Sequence, residues 1–123
     1  MKKNILIILV CFICSSIFAE EITFRTGDAF ALSITDYFCP DDINLMGSKC
    51  SITSIKKVEK DMWCISISAL RQGSVTVPIT FDYYVKEGDT IKFQRINNQM
   101  NKCTLKVLFI QWNKVVFAVQ SDD

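Results

Sequence analysis

Residues 75–85, with the sequence VTVPITFDYYV, decide the fold class of this chain. Apolar side chains stand at every second position, and threonine, proline, aspartate and tyrosine fill the positions between them. A period of two places alternate side chains on opposite faces of a β-strand, whereas a helix needs a period near 3.6. Pro78 has no backbone N–H to donate to a neighbouring strand. The segment therefore predicts a half-buried strand that lies at a sheet edge or is bulged near Pro78.

The same alternation recurs on both sides of this segment, in shorter runs at residues 22–25, 30–34, 65–69 and 91–93. Residues 104–111 and 115–119 are partly apolar on both faces, which is typical of central strands. Polar corners that contain glycine or asparagine separate these runs. The pattern predicts an all-β fold, a small single-domain sandwich or barrel of about 7 to 8 short antiparallel strands.

One stretch fits the alternation poorly. Ile52, Ile55 and Val58 recur at intervals of three, and charged residues follow them at positions 56–61. Either a short helix or a strand that ends in a charged turn fits this spacing. The β-branched residues around Thr53 favour the strand.

Residues 1–19 have the three regions of a secretory signal peptide. Lys2 and Lys3 precede an unbroken apolar run at 5–13, and small residues lead to Ala19 and Glu20. We expect cleavage after Ala19, which makes residues 1–19 a signal peptide and residues 20–123 an exported β-rich domain. The predicted location is the periplasm or the outside of the cell.

Two alternatives to a cleaved leader fit the sequence less well. A membrane-spanning helix needs about 20 apolar residues, and this run reaches Ser15 too early. Lipidation at Cys11 or Cys14 normally requires a small residue just before the cysteine, and here Val10 and Ile13 occupy those positions. The sequence therefore favours a domain without a membrane span after cleavage, and it does not fully exclude a lipid.

The expected mature domain keeps an even number of cysteines, Cys39, Cys50, Cys64 and Cys103. An even number in an exported chain predicts disulfides, here two. The sequence leaves three connectivities open. We slightly favour one bridge between Cys39 and Cys50, across a polar loop, and a second between Cys64 and Cys103. Zinc is disfavoured because the domain has neither the C-x-x-C spacing nor a histidine.

The composition excludes most familiar enzyme mechanisms. The chain has no histidine, which removes the usual general base and the nucleophile pairs that depend on it. A formal net charge of +1 gives no attraction toward nucleic acid. The domain carries no phosphate-binding loop, dinucleotide fingerprint or calcium loop. We therefore predict no catalytic residue, no metal and no cofactor.

The class of function that remains after these exclusions is surface recognition. Trp63, Tyr83, Tyr84 and Trp112 are of the residue types that dominate binding interfaces, and we select them as a candidate interaction surface. The alternative is that they fill or cover a small core. The sequence thus predicts a small exported non-enzymatic β-domain that binds a protein, a glycan or another envelope component. A structural subunit of an envelope assembly, or a small exported enzyme using carboxylates or a free thiol, is the alternative.

Overall fold

The computed structural model of the protein describes residues 20–42, 47–70 and 78–121. The expected signal peptide, with its cleavage after Ala19, lies outside the described residues, as do residues 75–77 of the segment quoted above. The side chains of Leu70 and Ser121, at strand ends, are likewise not described.

The described part of the chain consists of strands and turns and contains no helix, so the all-β prediction is confirmed. It has nine strands, against the predicted 7 to 8, because a short hairpin that the alternation did not separate forms two of them. The strands are β1 Glu20–Arg25, β2 Ala31–Ser33, β3 Asp36–Pro40, β4 Cys50–Glu59, β5 Met62–Leu70, β6 Pro78–Val85, β7 Thr90–Ile96, β8 Met100–Gln111 and β9 Lys114–Ser121.

These strands form two antiparallel sheets. One has six strands in the order β1-β9-β8-β7-β3-β2, and the other has three in the order β4-β5-β6. The segment between β1 and β2 joins them through its backbone: Ile52 N donates to Asp28 O at 2.9 Å, Phe30 N to Cys50 O at 2.9 Å, and Phe38 N to Phe30 O at 2.9 Å. Because this segment bonds to both β4 and β3, the two sheets curve around one core as a sandwich or half-barrel.

Strand β6 is at the end of the three-stranded sheet, where the missing N–H of Pro78 predicted an edge strand. Strand β4 explains the spacing of three noted above. Its pairing with β5 is irregular between Ile52 and Ser54, and this extra residue brings both Ile52 and Ile55 onto the buried face. A second irregularity, between Lys57 and Glu59, leaves Val58 46% exposed.

Five phenylalanines lie at the centre of the core. Phe30 and Phe38 have no exposed surface, and their rings lie 5.4 Å apart. Phe24 and Phe93 meet the Phe30 ring edge-on, at 4.9 and 5.1 Å, and Phe117 lies 6.4 Å away. Edge-to-face rings at these separations attract each other beyond their apolar burial. Four of the rings come from the six-stranded sheet and Phe30 comes from the joining segment. Isoleucines of the three-stranded sheet, such as Ile52 and Ile65, belong to the same core cluster, so one core is shared by the three parts.

Candidate functional site

The four aromatic residues selected from the sequence lie in different environments. Trp112, in the turn between β8 and β9, is 80% exposed, and Tyr84, on β6, is 62% exposed. Trp63 and Tyr83 are half-buried and pack against the core. Burial, with nearby acidic groups, raises the pKa of Tyr83 to about 12, so its phenol is neutral at physiological pH. The four therefore do not form one surface, and only Tyr84 and Trp112 present most of their side chain to solvent.

The turn at Trp112 follows from local backbone chemistry. Asn113 has φ of +70°, a left-handed conformation that asparagine tolerates better than most residues. Such a residue allows the tight connection between β8 and β9. With Asn113 turning the chain, the Trp112 side chain points away from the core.

A bulge in β8 exposes two more apolar side chains beside this turn. The pairing of β8 with β9 shifts between Val107 and Phe109, and the extra residue, Leu108, is 36% exposed. Phe109 is 42% exposed. Strand β7 begins opposite Lys106, so the end of β8 extends past it and pairs with β9 alone. Leu108, Phe109 and Trp112 are exposed apolar residues within one five-residue stretch at this turn, and we call them the hairpin surface.

Leu108 and Phe109 were not among the surface residues predicted from the sequence. Their run was apolar on both faces, and we interpreted it as a strand covered on both sides. The interpretation holds for the first part of β8, where Leu105 and Val107 are fully buried. It fails at Leu108 and Phe109, which are exposed although Val107 and Ile110 beside them are buried. The adjacent tight turn at Asn113 was the available signal, since a strand end next to a hairpin turn is often solvated.

A cleft of about 420 Å³ lies beside Trp63, one of the four aromatic residues selected from the sequence. Lys57, Asp61, Trp63, Lys86 and Glu87 line it, and we call it the Trp63 cleft. The Lys57 ammonium sits 6.0 Å from the centre of the Trp63 ring, within cation–π range. Glu87 also faces the hairpin, because the Ile110 N–H donates to its Oε2 at 3.4 Å. The cleft and the hairpin surface therefore share one end of the fold.

A second cleft, of about 310 Å³, runs along strand β2 and is mostly apolar. The Tyr37 hydroxyl closes part of its wall by donating to Gly47 O at 3.0 Å, and the Lys49 ammonium lies 5.8 Å from the Tyr37 ring. Both contacts hold the loop that leads into Cys50, so a structural role accounts for them.

The four cysteines of the described residues, Cys39, Cys50, Cys64 and Cys103, form no disulfide in the structure. Cys64 and Cys103 lie on different faces of the fold. Cys64 pairs in register with Lys56 and Tyr84 and lies outside the core cluster, whereas Cys103 is inside it, opposite Phe93. Because Cys64 lies outside the core cluster and Cys103 lies inside it, the structure gives no support to the predicted bridge between them.

Cys39 and Cys50 both lie in the core cluster. The Cys39 thiol donates to Gln94 Oε1 at 3.5 Å, and the Cys50 thiol donates to Ser48 O at 3.5 Å. Burial raises the pKa of Cys39, and burial followed by the charge of Cys39 raises the pKa of Cys50 to about 12. Both thiols are protonated at neutral pH, and a protonated thiol is a poor nucleophile.

We expect the reduced, folded protein to resist alkylation at Cys50. A pKa of about 12 instead of the ordinary 9.0 lowers the thiolate fraction at pH 8 by about a thousandfold. Peptide mapping after iodoacetamide treatment, with and without urea, measures this difference. Alkylation of Cys50 at the same rate in both conditions would contradict the buried placement.

Three carboxylates of the described residues are engaged in local structure. Asp28 Oδ2 accepts from Arg25 N at 2.8 Å, and Asp89 Oδ2 accepts from Lys86 N at 3.0 Å, so both fix turns. Asp82 Oδ1, on the outer face of β6, accepts from Ser66 Oγ at 2.7 Å. Beside it, the charges of Cys64 and Asp82 raise the pKa of the exposed Tyr84. These contacts give Asp28, Asp82 and Asp89 each a structural partner.

Among the residues that the structure describes, no group of three or more histidine, cysteine, aspartate or glutamate side chains could hold a metal ion. Within the same ranges, the search for a helix of sufficient length and apolarity to cross a bilayer finds none. Comparison with known proteins gives no match, whether to a family model, a curated protein or a solved structure.

Proposed function

We propose that this chain is a small exported, non-enzymatic β-domain that binds a partner protein through its hairpin surface. The observation that carries the proposal is the 80% exposure of Trp112 next to the exposed side chains of Leu108 and Phe109. A tryptophan side chain buries about 150–250 Å² when it is covered, and leaving that area in water forgoes its favourable transfer free energy. Contiguous exposed apolar side chains commonly mark interaction sites.

The chemistry of the hairpin surface favours a protein partner there. Its three contact side chains are apolar, and only the indole N–H of Trp112 can donate a hydrogen bond. A glycan needs several donors and acceptors for its hydroxyl groups, which these side chains do not offer. An apolar pocket on a protein surface, by contrast, fits an aromatic anchor that is ringed by smaller apolar contacts.

Replacing Trp112 by alanine tests this function. The tagged wild-type chain is purified from cells that naturally produce it, together with the proteins bound to it. We expect the amount of at least one of these proteins to be at least about tenfold lower with the variant. Tyr84→Ala is the matched control, because it removes a similarly exposed aromatic from another face of the fold. Quantitative mass spectrometry of the three preparations measures the effect, and circular dichroism checks that each variant is folded.

Two results would count against this function. One is an unchanged set of co-purifying proteins after Trp112→Ala, and the other is an equal loss after Tyr84→Ala. Either would mean that the hairpin surface does not select the partner.

The proposal includes export and one disulfide. In an oxidising compartment, we expect the Cys39 and Cys50 thiols to form a bridge, passing two electrons and two protons to a disulfide donor of that compartment. Support comes from their shared place in the core cluster and from the electrostatic effect of one thiol on the other. The mass of the exported protein, measured without reduction, should equal that of residues 20–123 less about 2 Da. A retained leader, or four thiols open to alkylation after denaturation, would contradict it.

A further inference from the structure

The Trp63 cleft offers chemistry that the hairpin surface lacks. One wall is the half-buried indole of Trp63, and four charged side chains surround it. Lys57 and Lys86 supply ammonium donors, and Asp61 and Glu87 supply carboxylate acceptors. The formal charges of the four cancel, so the cleft attracts neither anions nor cations strongly.

The groups around this cleft are fixed by the surrounding strands. Trp63 stands in register between Lys57 on β4 and Val85 on β6, and Val85 is buried. The turn that carries Lys86 is closed by Asp89, whose Oδ2 accepts from Lys86 N and whose N–H donates to Lys86 O at 3.1 Å. A platform on paired strands, bordered by a closed turn, keeps its geometry better than one on a long loop.

Two of the charged side chains are available to a ligand. In the described ranges, the Asp61 carboxylate and the Lys86 ammonium form no hydrogen bond or ion pair. Asp61 occupies the turn between β4 and β5 with φ of +78°, and it lines the cleft. One free acceptor and one free donor thus flank a partly exposed aromatic ring.

We propose that the Trp63 cleft binds a neutral oligosaccharide. A sugar ring has an apolar C–H face that packs on an indole, and its hydroxyl groups both donate and accept hydrogen bonds. The lining provides that combination: an aromatic face, ammonium donors and carboxylate acceptors, with no net charge. Its volume of about 420 Å³ is within the range of small-molecule sites, about 300–1,000 Å³. This site is separate from the hairpin surface and does not depend on the function proposed there.

Tryptophan fluorescence tests the site directly, because the chain has 2 tryptophans. In a Trp112→Phe variant, Trp63 is the only indole, and its emission reports on the cleft alone. We expect a saturable change in this emission on titration with at least one of three probes: chitotetraose, cellotetraose or maltotetraose. The same titration with a tetrasaccharide of glucuronic acid should give no response.

Side-chain variants then connect the response to the lining. Exchanging both Lys57 and Lys86 for methionine keeps the aliphatic stems and removes the donors, and we expect affinity for the responding probe to fall at least about tenfold. Lys106→Met is the matched control, because Lys106 is an exposed lysine on β8 that does not line the cleft. It should leave affinity unchanged. Trp63→Phe, measured by calorimetry with a circular dichroism check, should also weaken binding.

Three results would overturn the proposal: no response to any neutral probe, a response only to the acidic tetrasaccharide, or an unchanged affinity in the double lysine variant. None of them bears on the hairpin surface, which is tested by protein co-purification and not by saccharide. A saccharide response with no loss of partner protein in Trp112→Ala would support this site alone.

Discussion

Replacing Phe30 by alanine is expected to lower the free energy of unfolding by about 3–5 kcal/mol, the largest effect of any substitution considered for this domain. Phe30 has no exposed surface, and four other phenylalanine rings surround it. Its position in the segment that joins β4 to β3 means that the cavity would open where the two sheets meet. Small domains unfold with a total of about 5–15 kcal/mol, so this variant should be only marginally stable.

Urea denaturation followed by circular dichroism measures the Phe30→Ala effect. Phe109→Ala is the control, because Phe109 is 42% exposed and its removal leaves no closed cavity. We expect the control to change stability by less than about 1 kcal/mol. Equal losses in the two variants would contradict the placement of Phe30 at the centre of the core.

Removing the Asp36 carboxylate should have the second largest effect, about 2 kcal/mol of stability at pH 7. Arg95 donates two hydrogen bonds to this carboxylate, from Nε to Oδ1 at 2.8 Å and from Nη2 to Oδ2 at 2.7 Å. The pair links the start of β3 to β7, and both side chains are mostly shielded from solvent, at 23% and 20% exposure. In Asp36→Ala the guanidinium keeps Glu20, at 3.2 Å, as an ionic partner, and that side chain is 51% exposed.

The contribution of Asp36 should also depend on pH. Its hydrogen bonds with Arg95 lower its pKa below the ordinary 3.8, so folding favours the ionised form. The stabilisation is therefore complete at pH values above 3.8 and disappears as the pH falls through the lowered pKa of the folded state. We expect the difference in unfolding free energy between wild type and Asp36→Ala to shrink in acid. A difference that grows below pH 3.8 would have the wrong sign for this ion pair.

Much of the fold could be predicted from the sequence because a half-buried strand leaves a local signature. The alternation in residues 75–85 indicated a strand, and Pro78 indicated an edge. The strand character of β4 was harder to see, because the bulge after Ile52 converts a period of two into an interval of three. Such a bulge depends on the pairing with β5, so its position is not encoded in β4 alone.

The candidate sites were less predictable because they depend on which residues meet in space. The bulge between Val107 and Phe109 accompanies the exposure of Leu108 and Phe109, and its position depends on the pairing of β8 with β9. The Trp63 cleft combines residues from β4, β5 and the turn after β6, which only the sheet pairing brings together. The environments of the cysteines also depend on the sheet pairing, since Cys64 is buried outside the core cluster that contains Cys39, Cys50 and Cys103.

Site-specific photo-crosslinking from position 112, in cells that produce the protein, would test the central claim most directly. A photoreactive phenylalanine analogue in place of Trp112 should give a discrete crosslink to one partner protein, and the same analogue at Tyr84 should not give that product. A crosslink shared equally by both positions, or none from position 112, would contradict the claim that this domain binds a partner protein through its hairpin surface.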